Sequence, residues 1–106
     1  MVEYQSNLDA IFRSLADKTR RDILRRVTEE ALSIKDIAKP YRMSFAAIAK
    51  HVNVLAAARL VKKKREGKEQ IVSAVPETIA SAERFFEEYK KTWNSRLDAL
   101  DSILRR

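Results

Sequence analysis

A chain of 106 residues with 45% hydrophobic side chains can bury the modest core of one domain, and it is too apolar for disorder. With one glycine, two prolines and no cysteine, it has little irregular chain and no thiol for disulfides, metal ligation or nucleophilic attack. Its formal net charge of +7 sits wholly in the middle: residues 1–30 and 76–106 are each neutral, while 31–75 hold ten basic groups against Asp36, Glu66 and Glu69. A solvated face normally mixes signs, so a one-sided excess implies a surface for a polyanion, whether DNA, RNA or anionic lipid. No apolar run approaches the ~20 residues that span a bilayer, and the N-terminus lacks the apolar run of a secretion signal. A cytoplasmic location is therefore expected.

In chain order, Leu8, Ile11, Phe12 and Leu15 recur at helical spacing and form one stripe of a first helix, with a break near Asp17. Thr19, followed three residues later by Asp22, predicts a capping box opening a second helix. That helix turns Ile23, Leu24 and Val27 inward and ends about Glu29 or Glu30. Ser33 and Asp36 repeat the signal for a short third helix carrying Ile34, Ile37 and Ala38, which Pro40 stops. Ser44 caps a fourth helix running to about Ala58.

On that fourth helix, 100° per residue places Phe45, Val52 and Leu55 on the core side with Ile48. Ala46, Lys50, Asn53 and Ala57 fall opposite, Ala47 and Val54 on a flank, and His51 near the boundary. Short helices, a proline-marked turn and a third segment of this kind read as a helix-turn-helix, with Lys50 on the reading helix. Beyond Leu60, Gly67 interrupts a charged run between two β-branched segments, which predicts a two-stranded hairpin with its tip at the glycine. Pro76 suits the first turn of a last helix, about Glu77 to Leu104. Its stripe of Ala82, Phe86, Tyr89, Trp93, Leu97, Leu100 and Leu104, widened by Phe85 and Ile103, is longer than so small a globule can cover. A homodimer seam built from this helix and the first one is expected, with Leu8, Ile11, Phe12, Leu15, Phe86, Tyr89, Trp93, Leu97, Leu100 and Leu104 in the interface.

The expected fold is mainly α with a small β-hairpin: a winged helix-turn-helix with a long terminal dimerisation helix, spanning residues 1–106 as one domain. In this order of elements the chain resembles the ArsR family of bacterial and archaeal transcriptional regulators, from about Leu8 to Leu104. The resemblance is carried by the runs Leu15-Ala-Asp-Lys-Thr-Arg-Arg-Asp-Ile-Leu24, Met43-Ser-Phe-Ala-Ala-Ile-Ala-Lys-His-Val-Asn-Val-Leu55 and Arg65-Glu-Gly-Lys-Glu69. It implies a homodimeric regulator, acting as a repressor, with two reading helices in successive major grooves and wings along the backbone.

Two departures stand out: Ala46 replaces the family's usual proline, and Arg59 replaces a glycine after the reading helix. Arg59 must therefore adopt a left-handed conformation at a cost of about 1 kcal/mol, or end the helix differently. The family's metal sensors place cysteines in the third helix, or histidines and acids in the last. Here the third helix reads Ser33-Ile-Lys-Asp-Ile-Ala38, the last has no histidine, and His51 is the only one in the chain. The resemblance is to a metal-independent branch, with no cofactor expected.

For double-stranded DNA, Lys62, Lys63, Lys64, Arg65 and Lys68 of the wing could neutralise phosphates, with Arg42 aimed at the backbone and Ser44 able to bond a phosphate as well as cap. Lys50 and Asn53 are the outward candidates on the reading helix; His51 bonds a phosphate or its own scaffold. Only Asn53 resembles a side chain that bonds a base bidentately, so Ala46, Ala47 and Phe45 are expected to meet thymine methyls. A winged-helix protein–protein module without DNA binding is the alternative, though it has no need to concentrate charge this way. RNA binding would want stacking aromatics, of which the basic segment has only Tyr41 and Phe45. There is no Ser/His/Asp set, glycine-rich phosphate loop or paired carboxylate arrangement for an enzyme. A small effector could lodge among Phe85, Phe86, Tyr89 and Trp93, but dimer packing accounts for the same residues.

Overall fold

The computed structural model describes residues 2–105. The elements run α1 (Val2–Leu15), α2 (Lys18–Glu29), β1 (Leu32–Ser33), α3 (Ile34–Ala38), α4 (Phe45–Ala57), β2 (Val61–Glu66), β3 (Glu69–Ala74) and α5 (Pro76–Leu104). The helical order, the turn before α4 and the hairpin follow the sequence pattern. The short β1 does not: two residues are too few to show alternation. Leu32 and Ser33 pair with Val72 and Ile71, completing an antiparallel sheet of order β1-β3-β2. The wing is thereby hydrogen-bonded directly to the entrance of the helix-turn-helix.

The cap of α2 is Asp17, not Thr19. Its Oδ2 accepts the Arg20 backbone N–H at 3.0 Å, and Thr19 lies inside the helix. Aspartate caps as well as threonine does, and Asp17 directly follows the break after α1. Asp22 is thereby free for another partner. Ser33 and Ser44 cap α3 and α4 as expected, accepting the N–H of Asp36 and of Ala47, each at 3.1 Å.

Arg59 takes the left-handed conformation, φ +62°, in the place where glycine is usual. The Arg59 N–H donates to the Ala56 carbonyl and the Leu60 N–H to the Leu55 carbonyl, both at 3.0 Å. These are the paired bonds of a Schellman stop, and the buried Leu55 and Leu60 supply its apolar contact. At the hairpin tip Gly67 has φ +61° and opens a two-residue turn, where a glycine in the first position matches the twist of the strands.

The core draws on Ile11 of α1, Ile23 of α2, Ile37 of α3, Ile48, Val52 and Leu55 of α4, Leu60 after it, and Val72 of β3, all without solvent exposure. Leu8 and Ile11, expected in a dimer seam, are turned into the protomer, because their side of α1 covers the core; Leu15 is half-buried against it. α5 contributes little to this core: Thr78 and Ala82 are its buried residues. At 1.5 Å per residue its 29 residues run about 44 Å, and they account for much of the 66 Å long dimension. Beyond Ala82 the stripe is bare, with Phe86, Tyr89 and Trp93 at 55%, 57% and 61% exposure. Phe12 of α1 meets this helix, its ring centroid 5.6 Å from both Phe85 and Phe86.

Candidate nucleic-acid interface

The basic side chains of α2 that sequence counting treats as a neutral mixture have defined internal tasks. Arg20 Nε donates to the Ser14 carbonyl at 2.7 Å and its Nη2 to the Arg13 carbonyl at 3.1 Å, while Arg21 Nη1 donates to the Leu15 carbonyl at 2.7 Å. Together they satisfy orphan carbonyls at the C-terminus of α1, where positive charge also favours the helix dipole. Arg26 donates to the carbonyls of Ile37 (2.8 Å) and Asp36 (3.2 Å), and its guanidinium lies 5.5 Å from the Tyr41 ring centroid. The Tyr41 hydroxyl in turn donates to Asp22, whose other carboxylate oxygen accepts from Arg25 at 2.8 Å. These contacts from α2 set the position of the turn from which α4 emerges. Periodicity does not reveal them; the dense Arg-Arg-Asp…Arg-Arg spacing in α2 is the signal that could have.

His51 belongs to the same scaffold. It is 19% exposed, with Nδ1 at 3.3 Å from Arg20 Nη1 and 4.0 Å from Asp17 Oδ2. Arginine only donates, so Nδ1 is the acceptor in this contact. This side of α4 faces the α1–α2 junction and not the solvent. Ser14 adds a bond in the same region, its hydroxyl donating to the Val54 carbonyl at 3.4 Å.

The opposite side of α4 is open. Ala46, Lys50, Asn53 and Ala57 are exposed along it, with Arg42 and Ser44 exposed just before the helix and Ala47 half-buried. Phe45 departs from expectation: assigned to the core side with Ile48, it is 58% exposed. It is the first residue of the helix, one turn before the first buried position, and beyond the reach of the core. With Met43 also exposed, the leading end of α4 presents an apolar tip beside the cation Arg42.

In the hairpin, Lys62, Lys63, Lys64, Arg65 and Lys68 are all exposed. The register divides them. Lys63 pairs with the buried Val72 and Arg65 with Gln70, which places them on the core-facing side of the sheet, whereas Lys62 and Lys64 pair with Ser73 and Ile71 on the other. Lys63 crosses to the reading helix, where its Nζ donates to Asn53 Oδ1. Wing and reading helix thus meet through a polar contact at the exposed surface.

On α5, Phe85, Phe86, Tyr89 and Trp93 line an open groove of about 540 Å³, separate from this basic face. Among the described residues there is no group of three or more His, Cys, Asp or Glu able to hold a metal, and no helix long and apolar enough to cross a membrane.

A short third helix, a turn braced from α2, a fourth helix with its outward face open and a basic β-hairpin define a winged helix-turn-helix protein. The sequence profile of the helix-turn-helix domain matches residues 15–64. The HTH-type transcriptional regulator YuzN of Bacillus subtilis is 45% identical in a match covering 62% of this chain and 79% of YuzN. The solved structure of an ArsR-like transcriptional regulator from Rhodococcus sp. RHA1 is 31% identical with a TM-score of 0.77, covering 93% of each chain. The fold is also that of the homodimeric winged helix-turn-helix DNA-binding domain of Mb0332 from Mycobacterium bovis, at 20% identity and a TM-score of 0.68 over 88% of this chain and 83% of that one. The chain belongs to the ArsR family of winged helix-turn-helix transcriptional regulators, a DNA-binding family.

Proposed function

We propose that the protein is a homodimeric repressor that binds double-stranded DNA through α4 and the wing, with residues 1–106 acting as one winged-helix unit. One observation carries the site assignment: Arg20, Arg21 and Arg26 of α2 are committed to backbone carbonyls, while Lys50, Arg42 and the wing cations stand exposed around the outward face of α4. Lys50 and Asn53 lie in the major groove in this reading, with Ala46, Ala47 and Phe45 toward thymine methyls. Ser44 can donate its hydroxyl to a phosphate while its oxygen caps the helix. Lys62, Lys64, Arg65 and Lys68 follow the phosphates. His51, its Nδ1 engaged by Arg20, can reach a phosphate only through Nε2.

The dimer seam in this reading is the exposed stripe of Phe86, Tyr89, Trp93, Leu97, Leu100 and Leu104, with Phe12 at its edge. An apolar stripe of this length is a liability on a free monomer, and the homodimeric Mb0332 domain shares the fold. Leu8, Ile11 and Leu15 support the seam from behind. The protein works without the family's usual metal sites, since the sequence has no cysteine and its one histidine is engaged by arginine. A regulator works where its DNA is, so the cytoplasm is its expected place.

With few base-specific groups, affinity rests on phosphates and falls steeply with salt, with a modest preference for A·T-containing sites. Gel shifts on duplex and single strands across a salt series test this. Lys50→Ala is expected to weaken duplex binding more than Lys90→Ala on α5; equal effects would overturn the assignment.

A further inference from the structure

We infer that Lys63 of the wing sets which base Asn53 reads, by holding the oxygen of its side-chain amide. The inference rests on the DNA-binding reading above and deepens it. An asparagine amide has an accepting oxygen and a donating NH2, and a free one pairs with adenine by using both at once. In this protein the amide is not free, because Lys63 Nζ donates to Asn53 Oδ1. Lysine has three donors and no acceptor, so its ammonium fixes the amide orientation by chemistry: the oxygen must face the wing. Asn53 then offers its NH2 to the groove, a donor seeking acceptors.

The strand register makes this contact a consequence of the fold. Lys63 lies opposite Val72, on the side of the hairpin that faces the core, while Lys62 and Lys64 point to the other side. Both contact residues are exposed, so the pair forms part of the surface that meets the duplex. A donor-only Asn53 favours an edge presenting acceptors alone, and guanine, with N7 and O6, is that edge in the major groove. Adenine, which presents one acceptor and one donor, needs the oxygen that Lys63 occupies. Asn53 is also the one side chain on the outward face of α4 with such a fork, so its orientation weighs heavily on specificity at that position.

The experiment is selection of bound duplexes from a random pool with the full-length wild type, Lys63→Ala and Asn53→Ala, at one fixed salt concentration. Wild type is expected to favour guanine at the position Asn53 contacts. Lys63→Ala frees the amide oxygen and is expected to shift that position toward adenine by on the order of tenfold, with other positions unchanged. Asn53→Ala removes the preference there, and adding Lys63→Ala to it changes nothing further at that position. In the free protein, the Asn53 side-chain amide resonances are expected to move in Lys63→Ala, which a lysine serving only phosphates would not cause. If Lys63→Ala binds uniformly more weakly with an unchanged base profile, the inference is overturned while DNA binding stands. If the wild type retains no duplex at any salt, the DNA-binding reading itself fails and takes the inference with it.

Discussion

The hydroxyl of Thr78, one turn into α5, donates to the carbonyl of Arg59 at 2.5 Å, tying the start of the last helix to the left-handed stop of the reading helix. Arg59 sits where the backbone favours glycine, and the chain accommodates it by satisfying every polar group around it: its own N–H, its carbonyl and the N–H of Leu60. The junction between α4 and the wing is therefore held by hydrogen bonds despite a residue of unfavourable conformation.

Replacing Arg59 with glycine is expected to stabilise the fold. Relief of the left-handed penalty, about 1–2 kcal/mol, is set against the added entropy of an unfolded glycine, about 0.5–1 kcal/mol, leaving a net gain of up to about 1.5 kcal/mol. Thr78→Val, which buries the carbonyl without its donor, is expected to cost about 1–2 kcal/mol. Urea denaturation midpoints of the two variants check both signs. An Arg59→Gly protein less stable than wild type would refute the strain argument.

Arg20 offers a second test, because charge counting and the structure assign it opposite roles. As a surface cation it could be removed almost without consequence. As the cap of two α1 carbonyls and the partner of His51, its loss in Arg20→Met is expected to cost about 2–3 kcal/mol, since hydrogen bonds to charged groups are the stronger kind. Thermal unfolding measures the difference. Lys18→Met, two residues away and exposed, is expected to change stability by less than about 0.5 kcal/mol.

Acid stability follows from three carboxyls whose titration is pulled below the ordinary value of 3.8. The backbone N–H of Arg20 does this for Asp17, the Tyr41 hydroxyl and then Arg25 for Asp22, and Lys39 for Asp36, with burial opposing in each case. A carboxyl depressed in the folded state contributes its stabilisation fully above the unfolded value and loses it as pH falls through the folded one. Stability is therefore expected to drop as pH is lowered below about 4, the range in which the unfolded carboxyls take up protons. The slope should be shallower in an Asp17→Asn/Asp22→Asn double variant, which keeps an acceptor at both sites. An identical slope in the two proteins would remove these residues as the cause.

The dimer seam is tested by placing charge in its middle. Trp93 is 61% exposed on the protomer and makes no contribution to the protomer core, so Trp93→Glu should leave the fold intact. Light scattering is expected to show a dimer for wild type and a monomer for the variant at micromolar concentration. Because two linked reading helices bind far more tightly than one, duplex affinity should fall at least tenfold. A dimeric Trp93→Glu protein would move the interface elsewhere.

Much of this architecture could be read along the chain, since it depends on near neighbours. Ser33 and Ser44 cap the residues three positions on, Ile48, Val52 and Leu55 repeat at helical spacing, and Gly67 marks a turn of two residues. Local preference failed where two equivalent signals competed, as with Asp17 and Thr19. It also failed at a helix end, where Phe45 has the angle of a core residue but no core to enter. The wing cations were legible as a group, whereas their division between two faces required the strand register.

By itself the sequence determined a winged helix-turn-helix with its charge excess gathered on one segment, because helical period, capping and glycine placement act over a few residues. Only the tertiary structure decided which charges are available to a partner. Arg20 and Arg26 are as basic as Lys50 on paper, yet they spend their donors on carbonyls six to eleven residues away. Likewise Asn53 and Lys63, ten positions apart, meet only because the hairpin folds back against α4. A charge becomes a contact surface only when its hydrogen bonds are not already taken, and that depends on which distant groups the fold brings within 3 Å.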